Sequence, residues 1–209
     1  MSRQAVPSHV PSGQPKIAFV FDFPSTDEQR LGQIMVGSTG KMFHKMCEIL
    51  DVDVENCLLT YALAQKPAQE NPAHFFLNKK SYQSSIKEKK WRSKYPVNGF
   101  CFLKEEYESE LERLENELNA CNPNIIIAMG SLALWALTGL DKIGTYRGTI
   151  LRSNLTGETK VLPTFSPSAV VRNYDFRPIV LADIKKALQE SETPDIEIKE
   201  RELWSEPTL

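Results

Sequence analysis

The 209-residue chain has no run of about 18 apolar residues, which is the length that a helix needs to cross a bilayer. Its opening segment, MSRQAVPSHVPSGQP, also lacks the apolar stretch that a secretory signal requires. These two absences argue against a membrane span and a signal peptide and predict a cytoplasmic protein. With 41% hydrophobic residues, the chain can still bury the core of one folded domain.

Cysteine is scarce and shows no paired spacing. No CxxC pair occurs among the four cysteines, Cys47, Cys57, Cys101 and Cys121. The spacing therefore predicts neither a zinc site nor a disulfide framework, and we expect no metal. Buried free thiols are the expected state, because cysteine prefers protein interiors.

The net charge of −2 gives no excess of positive charge over the whole chain, but the basic residues are concentrated in one segment. The sequence from Lys79 to Lys94, KKSYQSSIKEKKWRSK, holds seven basic residues against one glutamate, with Tyr82 and Trp91 between them. A segment of this kind is either a solvated loop or a surface that contacts phosphates. The C-terminal end, QESETPDIEIKERELWSEPTL, is correspondingly acidic.

Four short apolar runs alternate with amphipathic segments along the chain. The runs KIAFVFD, CLLTYAL, NIIIAMG and KVLPTF are continuously hydrophobic rather than alternating, which is typical of strands covered on both faces. Helices are predicted at 41–50, 105–121, 131–137 and from Pro178 to Leu188, with Ser131 and Gly139 as caps of the third. This order predicts an α/β fold, a three-layer α/β/α sandwich with a mostly parallel four-stranded central sheet.

The composition divides the chain into three regions. Residues 1–15 are rich in proline, serine and glutamine and are expected to form a disordered leader. Residues 16–190 carry the predicted strands and helices, and residues 191–209 form an acidic tail or linker. Ligands of such sheets bind beyond the carboxyl ends of the strands. That rule selects Asp22 to Ser25, Tyr61, Gly130, Ser131 and Thr164 to Ser168.

Four ordered motifs resemble those of the family-four uracil-DNA glycosylases. The stretch FDFPSTDEQRLGQIMVGSTG is similar to the family's opening motif, and NPNIIIAMGSLALWALTG resembles its later strand and helix. The tripeptide Tyr146-Arg147-Gly148 is similar to the family's H-R-G, and LPTFSPSAVVR resembles its closing T-Y-H-P-S-A-x-x-R. The resemblance covers residues 17–188 and implies a DNA-binding domain that extrudes a base from the helix.

The resemblance also implies roles for particular positions. Asp22 stands where the family has an acid that positions or activates the attacking water, and Ser166 replaces a histidine that stabilises charge on the uracil oxygen. An asparagine that reads the uracil edge is replaced by Tyr61, which cannot present a paired donor and acceptor. An aromatic residue that stacks on the base is replaced by Met35. We expect Asp22 and Ser166 at the catalytic position and a base pocket of Phe23, Pro24, Met35 and Tyr61.

The iron–sulfur cysteines of the family are missing, and Gln65 stands at one of their positions, so no cofactor is expected. This combination resembles a degenerate, phage-type branch, which places the protein in the host cytoplasm if it is phage-encoded. A loop formed by SPSAVVR is expected to enter the duplex. The residues expected to contact DNA are Lys87, Lys89, Lys90, Arg92, Arg147, Ser168, Val170 and Arg172.

Three functions are compatible with these features. The first is a glycosylase whose base excision is redirected to a modified base. The second is a non-catalytic replication accessory module that partners a DNA polymerase or exonuclease, for which the C-terminal RELWSEPTL would serve as a docking segment. The third is a small-molecule enzyme on a similar sheet, but neither G-x-G-x-x-G nor a P-loop is present to hold a phosphate.

Overall fold

The structure is a computed structural model that describes residues 5–89, 95, 101–157 and 159–195. Within these residues the strands are β1 (Ile17–Phe21), β2 (Leu58–Tyr61), β3 (Phe76–Asn78), β4 (Cys101–Leu103), β5 (Ile125–Met129), β6 (Leu151–Arg152) and β7 (Lys160–Thr164). The helices are α1 (Thr26–Leu31), α2 (Gly37–Ile49), α3 (Lys79–Lys89), α4 (Glu108–Cys121), α5 (Ser131–Thr138), α6 (Ile143–Tyr146), α7 (Pro167–Arg172) and α8 (Arg177–Glu190).

The central sheet contains five strands in the order β2-β1-β5-β7-β6. The first four are parallel, and their register places Phe19 opposite Leu59 on one side and Ile127 on the other. All four predicted strands are confirmed. The fifth, β6, is only two residues long and runs antiparallel to β7. It was not predicted, because no apolar run marks it in the sequence.

Helices cover both faces of this sheet, which confirms the three-layer architecture. One face packs against α2, α7 and α8 through Phe43, Val170 and Ile184. The opposite face packs against α4 and α5 through Leu111 and Trp135. Each of the four parallel strands is therefore buried on both sides, and this explains why these strands are continuously hydrophobic.

The predicted helices are present with small changes at their ends. Helix α2 begins at Gly37, four residues earlier than expected, and a short 3-10 turn precedes α4. Gly139 ends α5 in a left-handed conformation, as predicted, but Gly130 rather than Ser131 is the N-cap. Pro178 lies in the first turn of α8. The prediction that SPSAVVR forms a loop is wrong, since this segment forms helix α7.

The N-terminal segment differs from the expected disordered leader over the residues that the structure describes. Residues 5–15 run beside β2, where His9 and Leu59 exchange two backbone hydrogen bonds of 2.9 and 3.0 Å. The backbone N–H of Val6 donates to the Ala64 carbonyl at 2.9 Å, and the Val6 side chain is buried. Backbone pairing, buried residues such as Val6 and Pro11, and the hydrogen bonds of Ser8 to Thr60 and Glu117 order this segment despite its proline and serine content.

The basic segment begins as helix α3, which contacts the antiparallel pair of β3 and β4. The Tyr82 ring stacks on Phe102 with 3.8 Å between ring centroids, so this aromatic residue packs within the fold. Lys79 and Lys80 are exposed. Residues 90–94 lie outside the described residues, as do residues 196–209 of the expected acidic tail.

No helix in the described part of the chain is both long and apolar enough to span a bilayer. Of the four cysteines, Cys47, Cys57 and Cys121 are buried and form no disulfide, as predicted.

Candidate active site

A cavity of about 780 Å³ opens at the carboxyl end of the parallel strands. The segments after β1, β5 and β7 reach it together with α1 and the start of α2, as the strand-end rule predicts. Its wall contains Phe21, Asp22, Phe23, Ser25, Thr26, Asp27, Glu28, Met35, Ser38, Thr39, Glu70, Pro72, Met129, Ser131, Leu132, Asp141, Ser166, Pro167, Ser168, Val171 and Arg172.

Asp22 follows β1 and its carboxylate is fixed by the first turn of α5. The backbone N–H groups of Leu132 and Ala133 both donate to Asp22 Oδ1 at 2.9 Å. Gly130 makes this approach possible, because a Cβ atom there would lie 2.2 Å from Asp22 Oδ2. Asp22 lines the cavity, and among the described residues no donor is hydrogen-bonded to its Oδ2.

Burial raises the pKa of Asp22 to about 6. Three interactions oppose the rise by favouring the charged form: the hydrogen bonds from Ala133 and Leu132, and the positive charge of Arg172. Asp22 is therefore ionised above about pH 6 and protonated below it. A carboxylate with this pKa in a cleft has the properties of a general base that acts near neutral pH.

Glu28 is a second carboxylate in the wall, and sequence reasoning did not assign it a role. Its Oε2 accepts a hydrogen bond of 2.6 Å from the Ser25 N–H, and its Oε1 accepts one of 2.9 Å from the Met35 N–H. Met35 has a φ of 52°, a left-handed conformation that is uncommon for methionine. Because Glu28 bonds both segments, it fixes Met35 in the wall. The spacing of Ser25 and Glu28 is that of a capping box, which was the available signal.

The four residues expected to form the base pocket are not all in the cavity wall. Phe23 and Met35 line the cavity, but Pro24 is buried outside the lining. The Tyr61 ring lies fully buried in the core rather than in the wall. Within the described residues its hydroxyl lies near Glu28 and Met35 but makes no hydrogen bond of normal geometry. Burial and the nearby Glu28 carboxylate raise the pKa of Tyr61 far above its ordinary value. Tyr61 therefore fills space in the core and does not present its hydroxyl to the cavity.

Ser166 and Ser168 both line the cavity at the start of α7. Ser166 is the N-cap of this helix, and its Oγ accepts a hydrogen bond of 3.3 Å from the Ala169 N–H. The two serine hydroxyls lie 3.0 Å apart and are hydrogen-bonded. The capping bond uses Ser166 Oγ as an acceptor, which leaves its single proton as the only donor toward a ligand.

The residues expected to contact DNA fall in different places. Arg172 is exposed at the cavity. Val170 is 0% exposed and packs in the core, so its predicted position in a loop that enters a duplex is wrong. Val171 is 44% exposed and lines the cavity instead.

Arg147 does not reach the cavity. Its guanidinium donates two hydrogen bonds to the buried Asp183 carboxylate, at 3.1 and 2.8 Å. Thr164 Oγ1 donates a third to the same carboxylate at 2.7 Å. Lys87 and Lys89 belong to α3, but their side chains lie outside the described residues, as do Lys90 and Arg92.

The wall also contains acidic residues that the sequence did not single out, Asp27, Glu70 and Asp141. Glu70 Oε1 accepts a hydrogen bond of 2.9 Å from Thr26 Oγ1, which joins α1 to the segment after β2. Asp27 belongs to α1, whereas Glu70 and Asp141 come from separate segments after β2 and α5, and no local pattern marks their position in the wall. No cluster of His, Cys, Asp and Glu side chains suited to a metal ion occurs within the described residues.

Comparison with known proteins places this fold and cavity in a family. The sequence profile of the uracil DNA glycosylase superfamily matches residues 7–189, which include every strand of the sheet. A type-4 uracil-DNA glycosylase of Thermotoga maritima is 38% identical over 76 residues, and the matched region covers 34% of this chain and 38% of that protein. The chain thus spans well under half the length of this relative. The profile match extends over most of the chain, and the protein belongs to the uracil DNA glycosylase superfamily.

Proposed function

We propose that the protein binds DNA, admits one extruded nucleotide into the cavity and hydrolyses its N-glycosidic bond. The observation that carries this proposal is the Asp22 carboxylate in the cavity wall, with Oδ1 fixed by two N–H groups and no donor on Oδ2 among the described residues. The partial relative is named as a glycosylase, which supports the same class of reaction. The base has to leave the stack because an enzyme cannot reach this bond inside a duplex.

In the proposed reaction, Asp22 Oδ2 takes a proton from water while the water oxygen forms a bond to the sugar C1′ atom. The bond between C1′ and the base nitrogen breaks, and its electron pair leaves with the base. The proton held by Asp22 then returns to solvent or to the base. Arg172 contributes positive charge at the cavity, which favours ionised Asp22 and offsets the negative charge on the departing base.

We further propose that uracil is a poor substrate. Ser166 offers one hydroxyl donor that also bonds Ser168, whereas a preorganised donor at such a position contributes about 10²–10³ in rate. Tyr61 has no side-chain amide and is buried outside the cavity, so this position does not read the base edge. Uracil excision is therefore expected to be at least about 10²-fold slower than in an intact family member.

The cavity has not collapsed, which supports redirected rather than lost excision. Its volume of about 780 Å³ falls in the range of roughly 300–1,000 Å³ that is typical of ligand pockets. The carboxylates of Asp27 and Asp141 in the wall accept hydrogen bonds but do not donate them. A modified base that carries an added hydroxyl or amino donor matches this wall better than uracil does.

DNA binding is proposed to use the exposed cations near the cavity and along the basic segment. Arg172 and the exposed Lys79 and Lys80 are in the described residues, and Lys87, Lys89, Lys90 and Arg92 are proposed to extend the surface. Each duplex phosphate neutralised should add about −0.9 to the slope of log affinity against log salt concentration. Replacing the last four residues by alanine should flatten this slope equally for all sequences.

A non-catalytic DNA-binding module, partnering a polymerase or exonuclease, is the second candidate. The observation that favours it is the use of Ser166 as a helix cap, because a capping serine has a structural role whether or not a base is excised.

One experiment separates the two candidates. Duplex and single-stranded oligonucleotides that carry uracil, hydroxymethyluracil or other modified bases are incubated with the protein, and abasic sites are then cleaved with alkali. Cleavage at a modified base supports the glycosylase. Binding to every oligonucleotide with no cleavage at any base contradicts it and supports the accessory module.

A further inference from the structure

An exposed aromatic side chain follows α7, the helix whose last two residues line the cavity. Val171 and Arg172 line the cavity, and Tyr174 begins the 3-10 turn Tyr174–Phe176 two residues later. Tyr174 is 60% exposed, the most exposed large hydrophobic side chain in the described part of the chain. The ring is therefore accessible to a binding partner.

The turn that carries Tyr174 is held in place on both sides. Asn173 Oδ1 accepts a hydrogen bond of 3.1 Å from the Asp175 N–H, and the Phe176 ring stacks on Phe165 with 4.3 Å between centroids. The Arg177 guanidinium lies over the Tyr174 ring, 5.3 Å from its centroid. One face of the ring is therefore covered by a cation, and the exposed area belongs to the rest of the ring.

The charges around this ring favour a polyanion. Arg172 and Arg177 flank Tyr174, and Asp175 is the single carboxylate in the turn. Arg177 forms no salt bridge within the described residues, and its buried Nε has no hydrogen-bond partner there. A fixed aromatic face beside unpaired arginine is the arrangement with which proteins stack unpaired bases and contact the adjoining phosphates.

We propose that Tyr174 and Arg177 form a stacking platform for the nucleotide next to the one in the cavity. The base of that neighbouring nucleotide stacks on the open face of the Tyr174 ring, and Arg172 and Arg177 contact the phosphates on either side. Extruding one nucleotide breaks its stacking with its neighbour, and the platform replaces the lost contact. This assignment rests on the proposed function, because its ligand is a DNA strand.

The platform is tested by binding to oligonucleotides that carry 2-aminopurine on either side of an abasic site. Tyr174→Ala should weaken binding by about 5- to 150-fold, since base–aromatic stacking contributes about 1–3 kcal/mol per base. Tyr174→Phe keeps the ring and should bind within about twofold of the wild type. Ile49→Ala, a matched control at an exposed apolar residue at the end of α2, should leave affinity unchanged.

The 2-aminopurine fluorescence identifies the stacked position. Quenching at one neighbour of the abasic site in the wild type and Tyr174→Phe, but not in Tyr174→Ala, is the expected result. Equal affinity and equal quenching for Tyr174→Ala and the wild type would overturn the platform while leaving the proposed function intact. A wild-type protein that binds none of these oligonucleotides at low salt overturns both.

Discussion

At the scale of single residues, Asp22 accepts two hydrogen bonds at Oδ1 and none at Oδ2 from the described residues, and this asymmetry determines its expected chemistry. The α5 N–H groups that bond Oδ1 fix the direction of the side chain, while burial raises its pKa to about 6. Activity that depends on ionised Asp22 should fall about tenfold per pH unit below pH 6 and level off above about pH 7. The measurement is kcat/KM for excision between pH 4.5 and 8.5. A rate that is flat across this interval contradicts the role of Asp22.

The same pKa makes a prediction about stability. A folded-state pKa near 6, raised from an ordinary value of about 3.9, means that the folded protein loses stability as pH rises through this interval. Asp22→Asn keeps an oxygen for both N–H groups and removes the buried charge. The variant should therefore be more stable than the wild type by up to about 3 kcal/mol at pH 7, with no gain near pH 4. Urea unfolding at the two pH values measures this difference, and a gain that is equal at both would be inconsistent with it.

Tyr61 was expected to line the base pocket, but its side chain is buried in the core. Its buried hydroxyl lies near the Glu28 carboxylate and makes no hydrogen bond of normal geometry within the described part of the chain. Tyr61→Phe removes this unpaired group, so the free energy of unfolding should stay equal or rise by about 1 kcal/mol, with excision unchanged. Tyr61→Asn should instead cost several kcal/mol, on the order of a large-to-small core substitution. Chemical denaturation of both variants provides the comparison, and a marked loss of stability in Tyr61→Phe would show that the hydroxyl has a partner.

At the scale of secondary-structure elements, the junction between β5 and α5 determines whether the Asp22 carboxylate can reach the N–H groups in the first turn of α5. Gly130 has a φ of 126°, and a Cβ atom there would lie 2.2 Å from Asp22 Oδ2. Gly130→Ala should therefore displace the carboxylate, lower the free energy of unfolding by more than about 1 kcal/mol and abolish excision. Gly144→Ala is the matched control, since a Cβ atom at Gly144 would have no neighbour within 4 Å, and it should change neither property. Equal behaviour of the two variants in unfolding and excision assays would refute this account of the junction.

The elements that the sequence predicted are those whose burial leaves a continuous or periodic apolar pattern. The four long strands and helices α2, α4, α5 and α8 have such patterns, whereas β6 is two residues long and α7 is six. The N-terminal segment was predicted to be disordered, but over its described residues the burial of Val6 and backbone pairing to β2 order it. Amino-acid composition shows neither burial nor backbone pairing. From composition alone, an ordered segment rich in proline and serine cannot be told from a disordered one.

At the scale of the whole molecule, the sheet brings together residues that lie far apart in sequence. The strand-end rule located Asp22, Ser166 and Ser168 correctly, because the carboxyl ends of parallel strands meet at one edge. The same rule selected Tyr61, which is buried in the core outside the cavity wall, because the rule fixes the position of a residue along a strand and not the direction of its side chain. Glu70 and Asp141 line the cavity from connecting segments, and the local sequence does not predict where these segments run.

The central claim is that a cavity at this edge excises a base with Asp22 as its general base. Its most direct test is single-turnover formation of alkali-labile sites by the wild type and Asp22→Asn, at pH 7.5, on the oligonucleotide panel of modified bases and uracil. The wild type should cleave at one modified base at least about 10²-fold faster than at uracil, and Asp22→Asn, although folded and able to bind DNA, should cleave at neither. Cleavage by Asp22→Asn at the wild-type rate, or no cleavage by the wild type at any base, would contradict the claim.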